Sequence, residues 1–149
     1  YFCDRAKDYD RTLTILERLR REHPDSPEVA NYFGYFLAER NLRLDEAETF
    51  IRQALHAEPD NPAYLDSLAW VLYRQGRHAE AARQIELAIA RQQQDDEPID
   101  AVIADHAGDI YLALGDLKRA RDFWQQAALY HHEELDPATV LAKLARHEQ

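Results

Sequence analysis

The residues of this 149-residue chain that could carry chemistry are few: seven histidines, one cysteine and only two serines. The run His131-His132-Glu133-Glu134 has the composition of a metal site. Adjacent residues on a helix diverge by about 100°, however, so such a run does not converge on one ion and reads as a polar helix end. His106 and His132 can meet only through tertiary folding. Ser26 and Ser67 have no histidine at a spacing that would activate them, and Cys3 stands alone without an assigned role. The pair Asp95-Asp96 lies in a polar run, where nothing buries it for acid–base work. There is no glycine-rich phosphate loop. The expectation is a chain with no catalytic set, no metal and no cofactor.

The elements that position these residues follow from composition. Hydrophobic residues make up 46% of the chain, with only 4 Gly and 6 Pro, so the elements between turns are long. Ala, Leu, Glu, Arg and Gln dominate, all good helix formers, and runs of Val, Ile and Thr are missing. The expected class is all-α. A formal net charge of -10 excludes non-specific nucleic-acid binding, because the surface repels phosphates. No apolar run approaches the roughly 20 residues that span a bilayer, which excludes direct membrane insertion. One cysteine permits no intrachain disulfide. The chain begins with Tyr1 and contains no Met, the expected mark of a fragment of a longer protein.

Small residues recur with a period. Gly34, Ala69 and Gly108 are 35 and 39 residues apart; Ala47, Ala81 and Ala120 are 34 and 39 apart; Ala54, Ala88 and Ala127 repeat those steps. Ile51, Ile85 and Trp124 hold a large side chain four residues after the first Ala of each pair. Residues seven apart on a helix share one face, so each Ala pair marks a seam where two helices come close. A Leu there costs about 1–3 kcal/mol by overpacking. Gly76 and Gly115 fit the left-handed residue that ends a helix. Ser26-Pro27 and Asn61-Pro62 read as N-cap followed by proline, as does Asp136-Pro137 ahead of a last helix over 138–147.

This pattern resembles the tetratricopeptide repeat, a helix–turn–helix of about 34 residues. The resemblance rests on Phe33-Gly34, Leu37, Ala47, Ile51, Ala54 and Pro59; on Leu68-Ala69, Leu72, Gly76, Ala81, Ile85 and Ala88; and on Ala107-Gly108, Tyr111, Gly115, Ala120, Trp124 and Ala127. It implies an α-solenoid of antiparallel helix pairs, divided as a partial unit over 1–26, units over 27–61, 62–100 and 101–135, and a capping helix over 136–149. The join between the second and third full units is longer by five residues, in the run 92–98, which reads as a tolerated polar insertion or, alternatively, as an extra contact loop at the rim of the array. The first unit has an extra residue around Asn41 to Leu44.

The resemblance also implies a function. In such arrays the first helix of each unit lines a concave groove, and the family's groove positions fall here on Glu28, Asn31, Tyr35, Ala38 and Glu39, on Ala63, Asp66, Trp70, Tyr73 and Arg74, and on Val102, Asp105, Asp109, Leu112 and Ala113. Of these, Asn31, Tyr35, Asp66, Trp70, Tyr73, Arg74, Asp105 and Asp109 form the candidate partner-binding site. Aromatics beside carboxylates suit a protein or peptide segment that is basic and apolar. The family's carboxylate clamp of Lys, Asn and Arg is not expected, because Tyr35, Trp70 and Asp109 stand where it requires cation and amide. The expectation is a non-catalytic protein-binding scaffold. Its alternatives are a homo-oligomerisation module and a regulatory array attached to a catalytic domain elsewhere. The wording of NYFGYFLAER, DEAETFI and YLDSLAWVLYRQGR is similar to bacterial members of the family, many of which sit in the cell envelope.

Overall fold

The structure, a computed structural model, describes residues 2–95, 98–129 and 137–147, with the side chains of 2–7, 95 and 137 outside the description. Among the described residues eight α-helices follow one another and there is no strand: α1 (Phe2–Glu22), α2 (Pro27–Glu39), α3 (Leu44–Ala57), α4 (Pro62–Arg74), α5 (His78–Gln92), α6 (Ala101–Ala113), α7 (Leu117–Leu129) and α8 (Pro137–Arg146). The run His131-His132-Glu133-Glu134, Asp96, the cap residue Asp136 and the side chain of Cys3 lie outside the described residues.

The helices pair as α2 with α3, α4 with α5 and α6 with α7, while α1 packs on α2 and α8 on α7. Each second helix presents one buried stripe: Ala47, Ile51 and Ala54; Ala81, Ile85 and Ala88; Ala120, Trp124 and Ala127. The six alanines are at most 2% exposed, so the small residues sit on the seam. The partner helix supplies the matching gap. A Cβ added to Gly34 would fall 2.6 Å from Ile51 Cγ1 and 2.8 Å from the Ala47 carbonyl. On Gly108 it would fall 2.1 Å from the indole nitrogen of Trp124. These positions therefore exclude even a methyl group.

Turns and caps fix where each rod starts and stops. Gly76 and Gly115 take φ of +82° and +83°, the left-handed conformation that glycine adopts without a Cβ clash. The turn between α2 and α3 has no glycine. It uses Asn41 at φ +55° and Arg43 at φ +46°, which accommodates its extra residue. Asn61 caps α4 by accepting from the amides of Ala63 (2.9 Å) and Tyr64 (3.3 Å), and Ser26 caps α2 through Val29 (3.3 Å). Asp100 caps α6 in the same way, through Val102 and Ile103.

Two further contacts set neighbouring units against each other. Arg74, at the end of α4, donates to the carbonyls of Ala38 (3.2 Å) and Glu39 (3.0 Å) at the end of α2. Glu48 on α3 receives Arg77 at 2.9 Å and Gln75 at 3.1 Å from the turn before α5, and Arg52 at 2.8 Å from its own helix. The long join after α5 has more structure than its polar composition suggests. Residues Gln93–Asp95 form a 3-10 turn, Gln92 accepts the Asp100 amide at 2.8 Å, and Ile99 is buried. The join is thus tied back to the helix it leaves.

Candidate functional site

The first helices α2, α4 and α6 lie side by side, and the face they share carries the candidate residues. A cavity of about 600 Å³ opens there, lined by Asn31, Tyr32, Tyr35, Phe36, Asp66 and Ile103, with Thr12 of α1 and Asp100 at its margin. Tyr32 is 60% exposed and forms an aromatic wall. Arg40 also lines the cavity, with its guanidinium 4.0 Å over the Phe36 ring and 5.2 Å over Tyr9. The side-chain oxygen of Asn31 is buried and has no hydrogen-bond partner. A buried acceptor in that condition is stabilised by any donor brought to it.

Asp66 lies at the inner side of this cavity and is bound to His106, Nδ1 to Oδ1 at 2.8 Å. His106 is buried and stacks on Trp70 at 4.0 Å between ring centroids, with Tyr35 at 6.1 Å. Burial opposes a charge on this imidazole, but the carboxylate of Asp66, with Asp105 and Glu39 at longer range, outweighs it and holds the His106 pKa above its ordinary value. Trp70 is itself only 7% exposed and continues the stack onto Tyr73 at 4.9 Å. Its indole nitrogen is buried and without a partner. Burial first, and Asp109 second, push the Tyr73 hydroxyl up from its usual pKa.

At the other end of the shared face, Lys143 of α8 reaches Asp105 at 2.8 Å and both oxygens of Asp109 at 2.9 and 3.0 Å. All three side chains are largely sheltered, at 22%, 12% and 17% exposure. Desolvation raises the Asp109 carboxyl above its normal range even though Lys143 pulls it down. The Lys143 ammonium is disfavoured by burial, but Asp109 and Asp105 more than compensate and raise it.

The structure therefore sorts the eight candidates into three groups. Asn31, Tyr35 and Asp66 surround the open cavity. Trp70 and Tyr73 belong to an aromatic stack joined to it through His106, and Arg74 fastens α4 to α2 with its guanidinium 5.2 Å over Trp70. Asp105 and Asp109 hold Lys143 in place of an outside cation. Sequence reasoning left Tyr32, His106 and Lys143 out of the groove, His106 having been weighed only as a metal ligand. Tyr32, Ser67 and His106 are each sixth in their units, and Tyr32 and Ser67 line the cavity, so the groove includes a position outside the carried-over set. Lys143 had a signal: counted from Pro137 it is seventh, where Phe33, Leu68 and Ala107 stand in the other units, and a lysine there is out of character. Among the described residues no group of three or more His, Cys, Asp or Glu could hold a metal ion, and no helix is long and apolar enough to cross a membrane.

Comparison with known proteins agrees with the geometry. A family profile for the tetratricopeptide repeat matches residues 5–70. The TPR repeat-containing protein PA4667 of Pseudomonas aeruginosa is 44% identical over 68 residues, which is 46% of this chain and 12% of that protein. The chain thus matches a small part of a much longer relative. Solved structures of MamA MSR-1 and MamA AMB-1 superpose with a TM-score of 0.60 each, at 22% and 23% identity; they cover 83% and 79% of this chain and 67% and 66% of theirs. At that identity the likeness is one of fold. With the buried alanine stripes and the glycines beneath Ile51 and Trp124, these matches identify residues 5–70 as tetratricopeptide-repeat sequence and the fold of the chain as a stack of such helix pairs.

Proposed function

We propose that the chain is a non-catalytic scaffold that holds a segment of a partner protein in the cavity shared by α2, α4 and α6. The observation that carries this reading is the cavity itself: about 600 Å³, walled by Tyr32, Tyr35 and Phe36. Its walls offer rigid aromatic area, which freezes few rotors on binding. Glu39, Asp66 and Asp100 stand against Arg40 among the lining residues, and the guanidinium of Arg40 already covers Phe36. The balance is acidic and suits a segment with at least one basic side chain. The unpaired Asn31 oxygen suits a backbone or side-chain N–H of that segment.

Site-specific photocrosslinking tests the reading. A benzophenone side chain at Tyr32, in the protein expressed in its own host, should capture a partner. The same group at Leu87, on α5, should not. Changing Ala63 to Arg, which fills the cavity from its exposed rim, should abolish the Tyr32 adduct. Capture from Leu87 alone would refute the groove, and a Tyr32 adduct between two copies of this chain would favour self-assembly.

A further inference from the structure

The cavity and the buried imidazole are linked through one carboxylate. Asp66 lines the cavity and is held by His106 Nδ1 at 2.8 Å. His106 is 4% exposed, and water cannot stand in for Asp66 as its counter-charge. The surroundings are otherwise spoken for. Trp70 of α4 covers one ring face at 4.0 Å, and Tyr35 of α2 is at 6.1 Å, with Glu39 farther along the same helix. On α6 itself Asp105 and Asp109 are engaged by Lys143 of α8. Asp66 is thus the acid that the His106 charge cancels most directly.

We propose that His106 is a proton-controlled gate on the charge of the concave cavity: protonated, it neutralises Asp66, and neutral, it leaves the Asp66 carboxylate to a lysine or arginine of the bound segment. This rests on the groove reading above. A neutral imidazole can still donate its Nδ1 hydrogen to Asp66, so the pairing geometry survives deprotonation while the cavity gains one full negative charge. The indole of Trp70 reports the change, because a protonated imidazole stacked on it quenches its emission more than a neutral one does. The raised affinity of His106 for its proton, caused by Asp66, Asp105 and Glu39 against burial, agrees with the direction of the gate.

The test has two readouts on the whole chain. The first needs no ligand. Tryptophan emission is followed from pH 5 to 9 in a His147→Gln background, which removes the second imidazole near an indole (His147 lies 5.6 Å from Trp124). One titration step is expected; it should vanish with His106→Gln and move to lower pH with Asp66→Asn. The second readout is the anisotropy of fluorescein-labelled octa-arginine, with octa-citrulline as the uncharged control and Ala63→Arg as the blocked cavity. Affinity of the wild type for octa-arginine should rise roughly fivefold or more between pH 5.5 and 8.5. His106→Gln should bind tightly at both values, and Asp66→Asn weakly at both. Absence of a fluorescence step that depends on His106 overturns the gate whatever the peptide does. Binding that Ala63→Arg abolishes but that stays flat with pH also overturns the gate and leaves the groove reading intact. Binding indifferent to Ala63→Arg overturns both.

Discussion

Gly108 and Trp124 show how narrowly one side chain can determine another. The indole occupies the space a Cβ would need, at 2.1 Å from the would-be carbon. Gly108→Ala should therefore lose about 1–3 kcal/mol in urea denaturation. The second unit uses Ala69 with Ile85 at the same two positions, so Gly108→Ala combined with Trp124→Ile should recover part of that loss. A double mutant no more stable than the sum of its parts would show that the two positions do not share the gap. His106 gives a prediction of the same scale. Its folded state holds the proton above the ordinary imidazole value of 6.5, so the stability it contributes is complete below about pH 6.5 and is withdrawn as pH rises through the higher folded value. Urea midpoints should fall over that interval in the wild type and change less in Asp66→Asn. The Gly–large pairing was legible in the sequence because it repeats in register. The Asp66–His106 pair was not: its members are 40 residues apart and on different helices, and no local period encodes a contact of that kind.

Each rod has its own start and stop, and these can be tested one at a time. Gly76 at φ +82° has nothing within 4 Å of a would-be Cβ. The cost of a side chain there is conformational alone. Gly76→Ala should lose about 1 kcal/mol, and Gly76→Asn clearly less, because Asn tolerates the left-handed region and Asn41 already adopts it one unit earlier. Thermal melts by circular dichroism would rank the two, and an equal loss would locate the cost elsewhere. Asn61→Ala should cost about 1 kcal/mol through the lost cap of α4. The caps on α2 and α4 were readable as Ser-Pro and Asn-Pro. Asp100, without a following proline and set behind a polar insertion, was not. Helix α8 was readable as a capping helix behind Asp136-Pro137, but the out-of-register signal of Lys143 was easily discounted, because a basic residue near a C-terminus has a sufficient local reason to be there.

Across the molecule, Lys143 decides whether the acidic end of the shared face is closed. Lys143→Gln leaves Asp105 and Asp109 without their cation and should cost roughly 1.5–3 kcal/mol, with Asp109→Asn restoring part of it. Equal urea midpoints for wild type and Lys143→Gln would mean the contact is not populated in solution. The solenoid class followed from the repeat alone, since stacked identical pairs have few ways to bury their faces. Which part of the groove stays open did not, because it depends on side chains reaching between units rather than within them. The sorting of Asn31, Tyr35 and Asp66 from Asp105 and Asp109 is of that kind.

The two ends of the array are joined by different chemistry. Arg74 grips α2 through the carbonyl oxygens of Ala38 and Glu39, dipoles that every residue's backbone provides whatever its side chain. Substitution at positions 38 or 39 that keeps the helix leaves this fastening untouched. Lys143 instead grips two carboxylates, and dissolved electrolyte weakens attraction between opposite ions more than a bond to a neutral oxygen, though far less for a pair as sheltered as this one than for one on the open surface. With Val140 still buried in the core, concentrated brine should loosen the α8 end only modestly and leave the α2–α4 joint at its angle, so salinity would act weakly and on one side of the stack alone.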